Sequence, residues 1–439
     1  GGNGGGGTIF VRYGENSDYS RIGEADVSGG ATPANAIGMQ GTAGGKGMVT
    51  AVSMDGKEVY TTGTYEITTA SAALDKLALA GGTVRFSSAS CAAEKCSLTI
   101  ESLDVSGGAP KFTCASNTYD VDIDVNESGS LDLTGLQITG CRNVEFSLPN
   151  QDEQTISGAT ISAAGSVALD FGDDVTITGS TITGGGTSKA GAPGYETTVA
   201  YIKFPNTHSL TLGADGAATT VNGNVDATAL ANFTLASGSA INASGKGYPG
   251  VANANGIGGN GASAPANGGG SVWTSCSDYY CGIGSAASGG GYGGAGGGRS
   301  DGANPGAAWH IDSLRPDKPG ASGGAGNASP GPSGGGIVKI AASGTMSLAG
   351  TISANGSSSA AETPAGGGAG GSIWLVAGAL DVPGGTARLY ANGGTGGRGC
   401  GYRCESYKGA GGGGGGRIAV WYGNDPATLA AWKIGRAHV

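Results

Sequence analysis

Residues 413–423 read G-G-G-G-R-I-A-V-W-Y-G, and residues 4–14 read G-G-G-G-T-I-F-V-R-Y-G. The two stretches align without a gap: glycines, then apolar residues at alternate positions, then Tyr and a final Gly. Alternation with a period of two is the pattern of a half-buried β-strand. A strand phrase that recurs at two distant places predicts a repeated structural unit whose copies stack on one another.

A shorter phrase, Gly-Gly followed by alternating apolar residues, recurs along the chain. Its copies lie at 6–11, 81–86, 269–274, 335–340, 370–375 and 415–420. A second phrase, two short apolar runs around a turn, ends in Ala-Asn-Gly or Ala-Ser-Gly and lies at 233–245, 346–356 and 380–393. Short strands with a turn after each, and almost no helical periodicity, predict an all-β solenoid whose rungs lie about 4.8 Å apart.

One stretch departs from this pattern. Residues 68–86 read T-T-A-S-A-A-L-D-K-L-A-L-A-G-G-T-V-R-F. A Thr or Ser near the start can cap a helix, Leu74 and Leu77 share a helical face, and Gly81 can end it. We therefore expect one short N-terminal helix here, followed by a strand.

An Ala-rich helix followed by G-G-T-V resembles the segment that opens many secreted right-handed β-helices, including pectate-lyase-like and tailspike proteins. The resemblance implies one right-handed parallel β-helix over residues 68–423. Residues 15–67 would then be an irregular lead-in, and residues 1–14 the last strand of a preceding repeat unit. Residues 424–433 would begin a following segment. The tail I-G-R-A-H-V, residues 434–439, resembles a translated sequencing-adapter read-through, and we expect it to be a sequence artefact without a function.

Glycine supplies 93 of the 439 residues, against a usual share of about 7%. The Gly-rich stretches lie between strand phrases, at 245–270, 282–336, 356–371 and 393–416. Because Gly lets backbones approach closely, we expect long ordered loops that hydrogen-bond one another in extended or polyproline-II-like form. This half resembles Gly-rich β-helix repeat proteins of eukaryotic cell surfaces and extracellular filament proteins of algae and related protists.

The charge and the apolar pattern exclude several classes of partner. The formal net charge is −10 and the isoelectric point is about 4.8, which disfavours nucleic acid and anionic membrane surfaces. No apolar run approaches the roughly 18 residues of a membrane span. The chain has only three histidines, none spaced with cysteines as in a zinc site. We expect no cofactor and no metal.

The eight cysteines fall into four local pairs. In an acidic chain rich in Gly, Ser and Thr, an even number of cysteines indicates disulfides and an oxidising compartment. Neighbourhood in sequence is the guide to the pairing. It gives Cys91–Cys96, Cys114–Cys141, Cys276–Cys281 and Cys400–Cys404. We therefore expect a secreted, extracellular protein.

Five sequons could carry N-linked glycans in such a compartment. They begin at Asn126, Asn232, Asn242, Asn327 and Asn355. Chance would give a similar number in a chain this rich in Ser and Thr. We interpret Asn242 and Asn355 as occupying the same repeat position, and Pro330 disfavours the site at Asn327.

Two groups of carboxyl residues could do chemistry. F-G-D-D-V-T-I, residues 171–177, resembles the paired-Asp strand of polygalacturonases, but the companion phrases of that family are missing. We expect Asp173 and Asp174 to be turn residues. Asp120, Asp122 and Asp124 alternate with apolar residues and share one strand face. They could bind Ca²⁺ with Asn126 or Asp132, and the preferred alternative is a solvated face that blocks lateral aggregation.

Trp273 and Trp374 occupy the same slot of the Gly-Gly phrase. They could stack on sugar or on a neighbouring protomer. The preferred interpretation is that they pack beneath the Gly-rich loops.

These patterns predict a structural protein and not an enzyme. A solenoid has open strand edges that natural proteins cap, and both end phrases of this chain are ordinary strands. We expect head-to-tail self-assembly into a filament or a tandem array. The residues expected to carry it are Thr8, Ile9, Phe10, Val11, Tyr13, Ile418, Val420, Trp421 and Tyr422. The alternative is a glycan-binding adhesin, and a remote one is a polysaccharide lyase or hydrolase.

Overall fold

The fold is all-β. A computed structural model of the chain describes residues 8–13, 48–53, 55–129, 131–150, 153–189, 197–251, 269–270, 287–298, 304–309, 314–326, 329–361, 363–399, 408–423 and 433–434. Within these ranges the only helices are single 3-10 turns at Ala89–Ala92 and Pro383–Gly385. Most strands pair in parallel, an arrangement compatible with a parallel β-helix.

The chain divides into two units. The first holds residues 1–164 and 169–175, and the second holds residues 165–168 and 176–439. The strands of the first unit are β1 (Thr8–Tyr13), β2 (Met48–Ser53), β3 (Glu58–Thr61), β4 (Thr64–Ile67), β5 (Ser71–Leu74), β6 (Lys76–Ala80), β7 (Thr83–Phe86), β8 (Cys96–Ile100), β9 (Leu103–Ser106), β10 (Lys111–Cys114), β11 (Asp120–Val125), β12 (Gln137–Cys141), β13 (Asn143–Ser147), β14 (Glu153–Ser157) and β15 (Thr160–Ala163). Two strands contain residues of both units, β16 (Val167–Asp170) and β17 (Asp174–Thr178).

Three sheets organise the first unit. Their strand orders within the unit are β1-β2-β3-β6-β9, β4-β7-β10-β12-β15 and β5-β8-β11-β13. All these pairs are parallel except β2 with β3. From β3 to β8, each strand pairs with the strand three places further along the chain. The chain therefore returns to each sheet after every third strand.

In-register parallel pairing builds the core of this unit. Each strand buries alternate residues, so apolar side chains from successive strands form columns. Phe112 lies in register with Val84 on one side and Ile138 on the other, and all three are fully buried. Phe112 also packs against Phe146 of another sheet, with 6.4 Å between ring centroids. The apolar columns of these two sheets therefore contact each other.

The expected N-terminal helix at 68–86 is wrong. β5 and β6 stand in place of the helix, and β7 is the strand expected after it. Leu77 and Leu79 are fully buried on β6, which pairs in parallel with β3 on one side and β9 on the other. A helix would break both ladders, and tertiary pairing overrides the helix propensity of Ala and Leu. Gly81 ends a strand, not a helix, and its positive φ of 78° is a conformation that favours glycine.

Regular strands also occur where we expected an irregular lead-in. Residues 48–67 contain β2, β3 and β4, and the last two already pair with β6 and β7. The parallel sheets therefore begin before residue 68. The rest of the expected lead-in, residues 15–47, lies outside the described part of the chain.

The second unit contains the remaining strands. They are β18 (Thr181–Thr183), β19 (Gly186–Lys189), β20 (Thr197–Ala200), β21 (Ile202–Lys203), β22 (Ser209–Leu212), β23 (Thr220–Asn222), β24 (Val225–Leu230), β25 (Asn232–Leu235), β26 (Ala240–Asn242), β27 (Ile337–Leu348), β28 (Thr351–Ser353), β29 (Ser372–Asp381), β30 (Arg388–Tyr390), β31 (Arg398–Gly399), β32 (Lys408–Gly409), β33 (Arg417–Tyr422) and β34 (Lys433–Ile434).

Parallel pairing again dominates. One sheet has the order β18-β23-β26-β28-β30 within this unit. A second has β21-β24-β27-β29-β33, and β22 and β25 join it at β27. The 12-residue strand β27 pairs with both β24 and β25. The strands β27, β29 and β33 each follow directly after a Gly-Gly pair.

The Gly-rich segments of this unit hydrogen-bond one another, as the sequence predicts. Residues 366–371 are the best example, since every one of their N–H groups is used. Gly366 and Ala369 donate to one neighbouring segment, at Gly324 and Ala321. Gly367 and Gly370 donate to a second, at Gly411 and Gly414. Gly368 and Gly371 donate to a third, at Ser357 and Ala354. The three neighbouring segments alternate with a period of three residues. That is the period of a polyproline-II helix with a different neighbour on each face. We call these interlocked segments the glycine bundle.

Lack of space, and not an unusual backbone conformation, explains the glycines at the centre of this bundle. Gly368 and Gly371 do not have the positive φ that favours glycine. A Cβ on Gly368 would overlap the carbonyl oxygen of Ser333, and one on Gly371 would overlap that of Gly336. Ala369 on the same segment is fully buried, and its methyl group fits. Glycine therefore marks the positions where another backbone lies against the segment.

A buried tyrosine connects the bundle to the sheet. Tyr292 is fully buried, and its hydroxyl lies 2.7 Å from the hydroxyl of Ser372, the first residue of β29. Ser372 in turn donates to the carbonyl of Lys318 at 2.6 Å. The ring of Trp309 packs edge-on against Tyr292 at 5.4 Å between centroids. Burial raises the pKa of Tyr292 to about 12, so the hydroxyl keeps its proton.

We predict that Gly368→Ala destabilises the protein by about 2–3 kcal/mol, because the methyl group meets a carbonyl in a fully packed layer. Gly186→Ala is the matched control, since a Cβ there has nothing within 4 Å and φ is not in the left-handed region. Urea denaturation followed by circular dichroism measures both. Equal midpoints for the two variants would show that the bundle does not constrain the fold.

Candidate functional site

The candidate site is the edge strand β33 in the second unit and the edge strand β1 in the first. β33 pairs in parallel with β29 along its whole length. On its other side it meets only the two-residue strand β34, opposite Trp421 and Tyr422. The side of β33 from residue 417 to residue 420 therefore has no strand partner in the described part of the chain.

The open side of β33 carries backbone donors. The N–H of Arg417 donates to the carbonyl of Gly371, on the β29 side. Successive N–H groups of a strand point in opposite directions. Those of Ile418 and Val420 therefore point away from β29. An edge of this kind is a template for another strand.

The apolar columns of the sheet also end at β33. Val338, Ile373 and Ile418 are in register, as are Ile340, Leu375 and Val420. The members on β27 and β29 are at most 1% exposed, whereas Ile418 and Val420 are half-buried. In the neighbouring sheet Leu389 of β30 is half-buried in the same way. Apolar surface that a further rung would cover is thus left partly open.

β1 lies at the edge of its sheet in the first unit. Its six residues pair in parallel with β2, Thr8 with Met48 through Tyr13 with Ser53. It comes first in the strand order, so its other side is free of strand partners among the described residues. The structure thus shows one open side on each of the two strands that carry the repeated phrase.

Trp374, the third residue of β29, packs within the protein. Trp374 and Val376 contact a buried pair on β33, Ala419 and Trp421. The indole N–H of Trp421 donates to the carbonyl of Leu314 at 2.8 Å. Trp374 therefore belongs to a packed cluster against β33. Trp273 lies outside the described residues.

Two of the four expected disulfides are confirmed. Cys91 bonds to Cys96 and Cys114 bonds to Cys141. Cys114 ends β10 and Cys141 ends the next strand of the same sheet, β12. This bond therefore joins neighbouring strands. The pairs Cys276–Cys281 and Cys400–Cys404 lie outside the described residues and stay predictions.

The sequon side chains are held by hydrogen bonds. The Asn126 amide donates to Glu101 at 2.9 Å, and the amide of the exposed Asn232 donates to Ser209 at 3.3 Å. Asn242 accepts from Ser353 at 3.0 Å. Our placing of Asn242 and Asn355 at one repeat position is wrong, because Asn242 lies opposite Ser353, two residues before Asn355. Asn327 lies outside the described residues, and glycosylation stays a prediction at all five.

The three aspartates of β11 share one face, as expected. Asp120 binds Arg142 through two short hydrogen bonds, at 2.7 and 2.6 Å. Asp122 pairs with Lys95 at 2.7 Å, and the same lysine reaches Glu145 of the next strand at 2.9 Å. Cationic side chains therefore occupy the positions next to two of the carboxylates. This pattern fits a solvated charged face better than a calcium site.

The environments of two of these carboxyls shift their pKa values in opposite directions. The hydrogen bonds from Arg142 hold the pKa of Asp120 below its usual range. Burial, and then the charge of Asp122, raises the pKa of Asp124. The first carboxyl is stabilised as an anion in the folded protein, and the second is destabilised as an anion.

Asp173 and Asp174 lie at a strand start. Asp173 is in the bend before β17, and Asp174 is the first residue of that strand. His208 is exposed, and its Nδ1 lies 3.3 Å from the hydroxyl of Ser209.

Comparison of this chain with protein-family models, curated proteins and solved structures finds no match. Within the described ranges no helix has the length and apolarity needed to cross a lipid bilayer.

The shifted carboxyls of β11 predict opposite pH dependences of stability. Asp120 has a lowered pKa, so its anion contributes stability above the unfolded pKa of about 3.9, and this is lost as the pH falls through the folded pKa. Asp124 has a raised pKa, so its ionisation costs stability as the pH rises from the unfolded value through the folded one.

At pH 7 we expect Asp120→Asn to lower the free energy of unfolding and Asp124→Asn to raise it. Each change should stay under about 1 kcal/mol because solvent screens both groups. Both differences should shrink as the pH falls, first for Asp124 and then for Asp120. Urea denaturation across pH 2–7 measures them, and changes of the same sign at pH 7 would contradict the assignment.

Proposed function

We propose that this chain is a structural subunit, or a tandem-repeat segment, of an extracellular filament or cell-surface appendage. In this proposal its parallel sheets are those of a right-handed parallel β-helix. Copies assemble head to tail when the open side of β33 in one copy takes up β1 of the next. The chain performs no catalysis, and its product is length and stiffness.

The two open strand sides are the single observation that carries this proposal. Among the residues that the structure describes, β1 is paired only on the side of β2, and β33 is paired by a full-length strand only on the side of β29. Both pairs are parallel. A β1 strand added to β33 in parallel would continue the same ladder that joins β27, β29 and β33. A contact that repeats without closing generates a filament.

The disulfides support an extracellular location. Two are present in the described part of the chain, and disulfides persist in oxidising compartments. The charged face of β11 fits the same role. Rows of charged side chains on a sheet face oppose lateral association of filaments.

The glycan-binding alternative has less support. Trp374 is one of the two residues that could stack on sugar, and it packs against the buried pair Ala419 and Trp421. A sugar would require an exposed aromatic face at this position. The remote alternative of a polysaccharide hydrolase would require two carboxyls on opposite sides of a cleft. The two candidates, Asp173 and Asp174, are neighbours at the start of β17.

Proline on the open side of β33 should block assembly without unfolding the chain. The N–H of Val420 points to the open side, so Val420→Pro removes no ladder bond to a strand that the structure describes. We expect this variant to keep its denaturation midpoint and to lose filaments in negative-stain electron microscopy and fast-sedimenting species in analytical ultracentrifugation.

Ala419→Pro is the matched control. The N–H of Ala419 points toward β29, so proline there breaks the internal ladder and should lower the denaturation midpoint. Filaments of Val420→Pro equal to those of the unsubstituted chain would overturn the proposed route of assembly.

A further inference from the structure

The N–H groups of the Gly-rich segment before β33 point to three faces, and on only two of them do they reach an acceptor that the structure describes. On the first face, Gly411 and Gly414 donate to the carbonyls of Ala287 and Gly290. On the second face, the N–H groups of Ala410, Gly413 and Gly416 donate to the carbonyls of Gly397, Gly394 and Ala391, respectively. On the third face, Gly412 and Gly415 donate to no residue that the structure describes. In the interior segment 366–371, by contrast, all six N–H groups are bonded.

The segment that follows β30 has the same property. Gly394 donates to Gly368 and Gly397 donates to Ala365, but Gly393 and Gly396 have no acceptor among the described residues. We call segments 391–397 and 410–416 together the terminal layer. It presents two rows of backbone donors that have no acceptor among the described residues, and within each row the donors are three residues apart.

The glycine at position 415 has no local explanation. It is exposed, its φ is not in the left-handed region, and a Cβ on it would have nothing within 4 Å. At Gly412 the nearest atom to a Cβ is the carbonyl oxygen of Gly394, at an ordinary 3.5 Å. At Gly368, inside the bundle, a Cβ would overlap the neighbouring backbone. A glycine face without such a neighbour indicates that a further backbone packs there.

We propose that the terminal layer binds residues 1–13 of a second copy of this chain. The proposal rests on the head-to-tail assembly proposed above and adds a glycine half to its interface. Residues 1–7, G-G-N-G-G-G-G, lie along the face of Gly412 and Gly415, and their carbonyls accept the unused N–H groups. Thr8–Val11 pairs in parallel with residues 417–420 of β33, the part of that strand that β34 leaves open.

Two features of the sequence select this occupant. Only a chain almost without side chains can approach a glycine face closely enough to bond it, and residues 4–14 repeat the glycines and strand of 413–423 without a gap. In the matching parallel register, Ile9 stands beside Ile418 and Val11 beside Val420. The apolar columns that end at β33 would then continue by one more strand.

The first test is the double variant Gly412→Ala/Gly415→Ala. Both methyl groups have room in the isolated chain, so the denaturation midpoint should not change. They would hold an approaching backbone out of hydrogen-bonding distance, so assembly of the full chain should be lost. Gly186→Ala, which also has room, should assemble like the unsubstituted chain. A double variant that assembles as readily as the control would overturn the proposal.

The second test uses labelled peptides and does not depend on filament formation. A peptide of residues 1–13 should bind the full chain in fluorescence anisotropy, and a peptide of residues 8–13 should bind at least about tenfold more weakly, since it lacks the glycine contacts. The double variant should bind the two peptides equally.

The outcomes separate the two proposals. If the unsubstituted chain binds both peptides equally, the proposed contact of residues 1–7 with the terminal layer is wrong, and the proposed pairing of β1 with β33 still stands. If the chain binds the peptide of residues 1–13 more tightly but never forms filaments, the proposed function is wrong and the docking site is confirmed. No binding of either peptide would overturn the docking proposal.

Discussion

Backbone hydrogen bonding between neighbouring passes of the chain is the constraint on which this structure depends. In the sheets it takes the form of parallel ladders in register, which stack Val84, Phe112 and Ile138 into one column. In the glycine bundle it joins segments that have almost no side chains. Ordering glycine costs more backbone entropy than ordering any other residue. Saturating the N–H groups of segment 366–371 offsets that cost.

Sequence patterns predicted the parts of the fold that depend on local repetition. Period-two alternation identified the short strands, such as β11 and β33. The excess of glycine between strand phrases predicted hydrogen-bonded layers, because close backbone approach is the main structural use of a residue without a side chain. Proximity in sequence predicted the bonds Cys91–Cys96 and Cys114–Cys141. Each of these inferences needs only neighbouring residues.

The errors came from contacts between residues far apart in the chain. Residues 68–80 carry a real helical pattern, but β3, β8 and β9 supply ladders that the sequence does not display. Asn242 and Asn355 occupy similar positions in the repeated phrase, but the strand register places Asn242 opposite Ser353 and not opposite Asn355. The pairing of Lys95 with Asp122 and the bond from Tyr292 to Ser372 follow from folding and have no sequence signal.

The glycine bundle also changes how temperature acts on the second unit. Burial of apolar surface carries a large heat-capacity change, so the stability it supplies weakens on cooling. Burial of polar backbone contributes to the heat capacity with the opposite sign. A layer built from N–H and C=O groups therefore keeps its strength near freezing, where an apolar core loses part of its own. The unfolding free energy of this unit then varies with temperature less steeply than that of an apolar domain of equal length.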